Sequence, residues 1–83
     1  MTFRSEAEVE FSFPSEELAR KAVEALKPEE DQPGGRSMVK LSVRGRRLLL
    51  RIRARDTPSL RAALNSFLRL VAVVRDMMEL KEG

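Results

Sequence analysis

Eighty-three residues give enough chain for one small two-layer domain over residues 1–83, and a hydrophobic fraction of 42% is that of a folded chain rather than a disordered one. The absence of cysteine and histidine excludes a disulfide framework, thiolate chemistry, the commonest metal ligand and the commonest general base, so neither a metal nor a cofactor is expected. The net charge of +3 is carried by twelve arginines against four lysines; guanidinium forks suit phosphates and carboxylates, although a surface of locally balanced charges accounts equally well for so small a net value.

The first element is EAEVEFSF, which alternates strictly: Ala7, Val9, Phe11 and Phe13 face one way and Glu6, Glu8, Glu10 and Ser12 the other, the pattern of a half-buried strand. Pro14 ends it. Ser15 is placed to cap a helix whose first turn holds Glu16 and Glu17 and whose apolar stripe is Leu18, Ala19, Ala22, Val23 and Leu26. Pro28 is expected to stop this helix, leaving KPEEDQPGGR as a solvated loop. SMVKLSV alternates again, with Val39, Leu41 and Val43 inward. Arg44-Gly45 is the turn candidate before a third strand, RRLLLRIRA, with Leu48, Leu50, Ile52 and Ala54 inward and Arg47, Leu49, Arg51, Arg53 and Arg55 outward. Leu49 and Met38 then point away from the core and argue for some cover over the outer face. Asp56 or Thr57 caps the last helix, Pro58 takes its first position, and it runs to about Leu80.

The order strand, helix, strand, strand, helix predicts an α+β fold: a three-stranded antiparallel sheet with strand order first-third-second and both helices on one face. A helical connection returns the second strand parallel to the first, and the hairpin reverses the third. Placing the third centrally makes every neighbouring pair antiparallel. Glu6, Glu8 and Glu10 are then predicted to face Arg51, Arg53 and Arg55.

At 100° steps, Leu60, Ala63, Leu64, Phe67, Leu70, Val71, Val74, Met77 and Met78 form one core stripe on the last helix. Apolar residues remain outside it. Ala62, Val73 and Leu80 form a second line with Ser66 between them, and Leu68 and Ala72 lie on the far flank. Surplus apolar surface on so small a domain predicts a partner. It also gives the Asn65-Ser66 pair, poor helix formers in mid-helix, a reason to be there: a small residue lets another helix approach closely. Arg61, Asn65 and Arg69 line the edge of this surface, where they read equally as a solvated face or as contacts to a partner's carboxylates and carbonyls.

Asp56, Leu60-Arg61-Ala62, Asn65-Ser66 and Leu68 resemble the signature helix of the smallest core subunit of the KEOPS complex, a family that also takes in the cancer/testis antigen proteins. The resemblance extends over nearly the whole chain, through the first strand, the helix start SEELA, the helix exit LKPEE, the strand entry Arg36-Ser37 and the ending Ala54-Arg55-Asp56 of the third strand. It implies a non-catalytic scaffold that forms homodimers and docks its two helices on the ATPase-fold threonylcarbamoyltransferase subunit of a machine that makes threonylcarbamoyladenosine in tRNA. The docking helices would be roughly 15–26 and 58–80. On that reading Ala62, Asn65, Ser66, Arg69, Val73 and Leu80 are the partner-binding residues.

Catalysis is not expected. Ser37, Ser59 and Ser66 have no histidine to activate them, Pro33-Gly34-Gly35-Arg36 lacks the spacing of a phosphate loop, and Glu29-Glu30-Asp31 lacks the alternation of a calcium loop. The competing reading is a free-standing basic nucleic-acid-binding module, KH-like or regulatory, with Arg36, Lys40, Arg44, Arg46 and Arg47 on phosphates. Without Tyr or Trp for base stacking, and without the Gly-x-x-Gly of a KH domain, only backbone contact is supported. The longest apolar run, Leu70–Val74, is far short of the ~18 residues a bilayer demands, and MTFRSEAEVEF holds no signal-peptide run, so a soluble cytoplasmic protein without membrane contact is expected.

Overall fold

The computed structural model describes the backbone of residues 3–30 and 37–82 and the side chains of those residues up to Met78. Its elements are β1 (Ser5–Ser12), α1 (Glu16–Leu26), a 3₁₀ turn (Lys27–Glu30), β2 (Ser37–Arg44), β3 (Arg47–Ala54) and α2 (Thr57–Glu82). The strands form one sheet in the order β1-β3-β2 with both neighbouring pairs antiparallel, as the sequence predicts. Both helices cover the same face, and the outer face is left open. The alternation of the strands places Val39, Leu41, Leu48, Leu50, Ile52 and Ala54 in the core, where Ala19, Ala22, Val23 and Leu26 of α1 and Phe67 and Val71 of α2 meet them. Leu48, Leu50, Ile52 and Phe67 are essentially sealed from solvent. Deleting one such side chain costs its transfer free energy plus a cavity.

The caps follow from residue chemistry. Ser15, in extended backbone, accepts from the Leu18 N–H at 3.1 Å, and Asp56 Oδ1 accepts from the Ser59 N–H at 2.8 Å; of the two cap candidates for α2, Asp56 is the one that accepts this bond.

Four expectations are corrected. The hairpin turn is Gly45-Arg46 rather than Arg44-Gly45, because the first central position of the two-residue turn needs the left-handed backbone that Gly45 supplies at φ 59°. Arg55 does not face β1. Ser5 pairs with Ala54, so Arg55 lies past the end of the ladder, 3.9 Å from its neighbour Asp56. The strand acids are instead met by Arg51 (Glu8 at 2.7 Å, Glu6 at 3.5 Å), Arg53 (Glu6 at 3.4 Å) and Arg47 (Glu10 at 3.4 Å).

The segment 27–36 is not all irregular. The α-helix does stop at Leu26, but Lys27–Glu30 tightens into a 3₁₀ turn. This turn aims the Glu30 carboxylate at the Leu41 N–H, which donates to it at 2.6 Å. Leu41 belongs to an edge strand, and a carboxylate on its N–H occupies a donor that an incoming strand would otherwise use. The rest of that loop, with Arg36, lies outside the described residues. Finally, Met77 is 61% exposed rather than in the core. On the helical wheel it stands about 90° from the line through Phe67 and Val71. The helix has also outrun the sheet by then: 18 residues from Thr57 to Arg75 rise about 27 Å, matching the roughly 26 Å of an eight-residue strand.

Two stability outcomes follow. Glu8→Lys puts a like charge opposite Arg51 and is expected to lower the unfolding free energy by about 1 kcal/mol, less at high salt; an unchanged urea midpoint would reject the charge ladder. Glu30→Ala leaves the Leu41 N–H without its acceptor and is expected to cost roughly 1–3 kcal/mol in the same assay.

Candidate interaction surfaces

The described residues hold no group of acidic or sulfur ligands placed for a metal, no buried side-chain polar atom without a partner, and no helix long and apolar enough to cross a membrane. What the fold presents instead is surface. The first is on α2. Because α2 lies on β1 and β3 while α1 covers β2 and β3, only one stripe of α2 reaches the core, centred on Phe67 and Val71, with Leu60, Ala63, Leu64, Leu70, Val74 and Met78 half-buried around it. The opposite side faces solvent. Ala62, Asn65, Ser66 and Arg69 are exposed there, and Val73 is 54% exposed; Leu80 lies on the backbone of the same helix, its side chain outside the described residues. At 100° per residue Ala62, Ser66, Arg69, Val73 and Met77 fall within about 80° of one another, so they form one strip. Leu68, on the other flank, is 39% exposed.

Met77 was assigned to the core by periodicity and therefore missed as a surface residue. The available signal was length: a 26-residue helix over eight-residue strands must run past them. Near the end of that contact stands Arg75, its guanidinium donating to the Ser12 carbonyl at 3.2 Å and lying 5.4 Å from the centre of the Phe13 ring. Sequence reasoning gave Arg75 no role.

The second surface is the open sheet face. The registers set it out in rows: Glu6–Arg53–Met38, Glu8–Arg51–Lys40, Glu10–Leu49–Ser42 and Ser12–Arg47–Arg44. Acids occupy the β1 side and cations the β2 side, while Met38, 52% exposed, and Leu49 supply its apolar part. A shallow concavity of about 530 Å³ lies here, bounded by Glu8, Met38, Lys40, Leu49 and Arg51 among others. Of the arginines proposed for phosphate contact, Arg44, Arg46 and Arg47 are brought together at the hairpin; Lys40 stands one row inward on β2, and Arg36 lies outside the described residues.

Against known proteins, the sequence profile of a family described as "Transcription factor Pcc1" matches residues 6–79. The chain belongs to the Pcc1 family. A relative in this family, the KEOPS complex subunit Pcc1 of Pyrococcus abyssi (strain GE5 / Orsay), is 32% identical over 78 residues, which span 93% of this chain and 95% of that protein. A chain in the crystal structure of the binary complex Gon7-Pcc1 shares the fold with a TM-score of 0.87, covering 95% of this chain and 98% of that one at 20% identity. The Pcc1 match runs from the second residue of β1 through every following described element, α2 as far as residue 79.

Because the α2 strip is surface rather than core, Val73→Ser and Met77→Ser are expected to change the unfolding free energy of the isolated chain by no more than about 0.5 kcal/mol, while Phe67→Ala costs roughly 3–5 kcal/mol. Equal losses in chemical denaturation would mean that the strip is packed within the molecule.

Proposed function

We propose that this chain is a non-catalytic scaffold subunit of a KEOPS-type complex supporting threonylcarbamoyladenosine formation in tRNA. It acts in the cytoplasm, pairs with a second copy of itself, and docks its helices on the catalytic threonylcarbamoyltransferase subunit. The observation that carries the reading is the exposed strip of α2 running from Ala62 through Ser66 to Val73 and Met77. A single copy satisfies its own core with the other side of that helix, so the strip serves nothing within the chain. Its shape suits a helical partner. Ala62 and Ser66 are small enough for close approach, Val73 and Met77 supply apolar contact further along, and Asn65 and Arg69 edge the strip with polar groups for a partner's carbonyls and carboxylates. Near full-length similarity to a protein named as a KEOPS subunit supports the choice of complex. A shared fold with a chain of the Gon7-Pcc1 complex shows that this architecture occurs in hetero-assemblies. For dimerisation, the supporting features are the open sheet face with its exposed Met38 and the limited core of a 9.4 kDa chain, which a partner stabilises.

The test pairs docking with folding. Ser66 is exposed, so Ser66→Arg is expected to melt within about 2 °C of the parent while losing co-purification with the catalytic subunit; retention of the variant on that subunit refutes the docking surface. Light scattering of the chain alone is expected to give twice 9.4 kDa, and a mass of one chain refutes the homodimer.

A further inference from the structure

The two edge strands differ in what they would offer another strand, and backbone pairing shows how. Phe13 donates its N–H to the Arg46 carbonyl at 2.8 Å, which fixes the phase of β1: odd-numbered residues turn their backbone groups to β3, and Glu6, Glu8, Glu10 and Ser12 turn theirs to the outer edge. On β2 the phase is fixed by Leu41. Its N–H donates to the Glu30 carboxylate at 2.6 Å, so Val39, Leu41 and Val43 turn their backbone groups outward while Lys40 and Ser42 turn theirs to β3. Any antiparallel register of β1 on the β1 of another copy, centred between Glu6 and Glu10, sets acid opposite acid. The Ser12 carbonyl on that edge also already accepts from Arg75. The β2 strand reads the other way. Centred on Leu41, it meets an identical strand with Val39 opposite Val43, Leu41 opposite Leu41, Lys40 opposite Ser42 and Met38 opposite Arg44, so no like charges stand directly across. In this register the outward-turned residues Val39, Leu41 and Val43 are the hydrogen-bonded pairs. The strand is self-complementary, and the donor at its centre is the one that Glu30 occupies.

We propose that the β2 edge is a strand-pairing surface for the β2 strand of a second copy, and that Glu30 is the latch that holds it shut. A carboxylate on a backbone N–H is a charge-assisted bond, roughly twice as strong as the neutral amide–carbonyl bond that would replace it. It also stands where the second copy's Leu41 carbonyl would have to sit, so latch and second strand exclude one another. The short 3₁₀ turn Lys27–Glu30 is what carries the carboxylate to the edge: it follows α1 directly, and α1 itself lies against β2. Release of Glu30 frees the central donor and joins two three-stranded sheets into one through the β2 edges. With the latch closed, copies associate through other surfaces. Neither the KEOPS reading nor the docking strip on α2 enters this.

The experiment follows deuterium exchange of the Leu41 amide by NMR on the full chain at about 20 and about 500 µM, with light-scattering mass at both concentrations. In the parent, Leu41 is expected to be protected equally at both, because its acceptor belongs to the same molecule. Glu30→Ala is expected to speed that exchange at least about tenfold at the lower concentration. At the higher concentration it is expected to reach about twice the parent's mass and to regain the protection. Glu30→Gln keeps an acceptor oxygen without the charge and is expected to fall between the two; it carries the comparison if melting curves show the alanine variant unfolded. N-methylation of the Leu41 amide in the Glu30→Ala chain, assembled by chemical ligation, removes the donor and is expected to return the mass to the parent's. Unchanged Leu41 exchange in the variant, a mass equal to the parent's at the higher concentration, or a doubling that survives N-methylation overturns the proposal. So does protection in the parent that grows with concentration, since the edge would then be paired with the latch present. Every mass is read against the parent's, so failure of the latch and failure of the homodimer give different results.

Discussion

The organisation of this molecule follows from a mismatch in length and width between α2 and what it covers. Three eight-residue strands offer a sheet roughly 26 Å long and three strands wide, of which α1 already occupies one side. A 26-residue helix rises about 39 Å and carries apolar residues around more than half its circumference. Only the side centred on Phe67 and Val71 is buried within one copy, and its contact with the core tapers off at the half-buried Met78. The strip from Ala62 to Met77 lies in the remainder.

The sheet beneath is held by β3, which makes both ladders, fills the centre of the core through Leu48, Leu50 and Ile52, and carries the arginines that answer the acids of β1. Each exposed ion pair contributes little on its own. Their collective effect is on register, since a slip of one residue would carry the acids of β1 to the core face. The arginines of β3, Arg47, Arg51 and Arg53, are all ion-paired with acids of β1, whereas among the described residues Arg44 of β2 and Arg46 of the turn are not. The two open edges also differ: the β2 edge carries the Glu30 carboxylate on the Leu41 N–H.

In this Pcc1-family fold no group of acidic or sulfur ligands among the described residues is placed for a metal, and the concavity on the open sheet face is shallow. Its exposed features are distributed over faces, the α2 strip and the open sheet face. That is why composition carried so much weight: a chain without histidine or cysteine directs attention to contact surfaces, and the positions where helix propensity is sacrificed, Asn65 and Ser66, are found on one of them.

Much of the fold was legible in local pattern. Period-two alternation gave three strands and their inward faces, Ser15 and Asp56 announced the helix starts, and the antiparallel rule together with opposite charges gave the order β1-β3-β2. These features depend on neighbours in sequence or on a single face, so the order of residues determines them. What needed the tertiary structure were relations between distant segments. Register decided that Arg47, not Arg55, meets β1; the left-handed backbone at Gly45 moved the turn by one residue; and the 3₁₀ turn delivered Glu30 to Leu41 across 11 residues. The exposure of Met77 and the contact of Arg75 with Ser12 and Phe13 depend on where a helix ends against a sheet. Periodicity assigns a residue its direction from the helix axis, but only the packed structure decides whether another element stands in that direction.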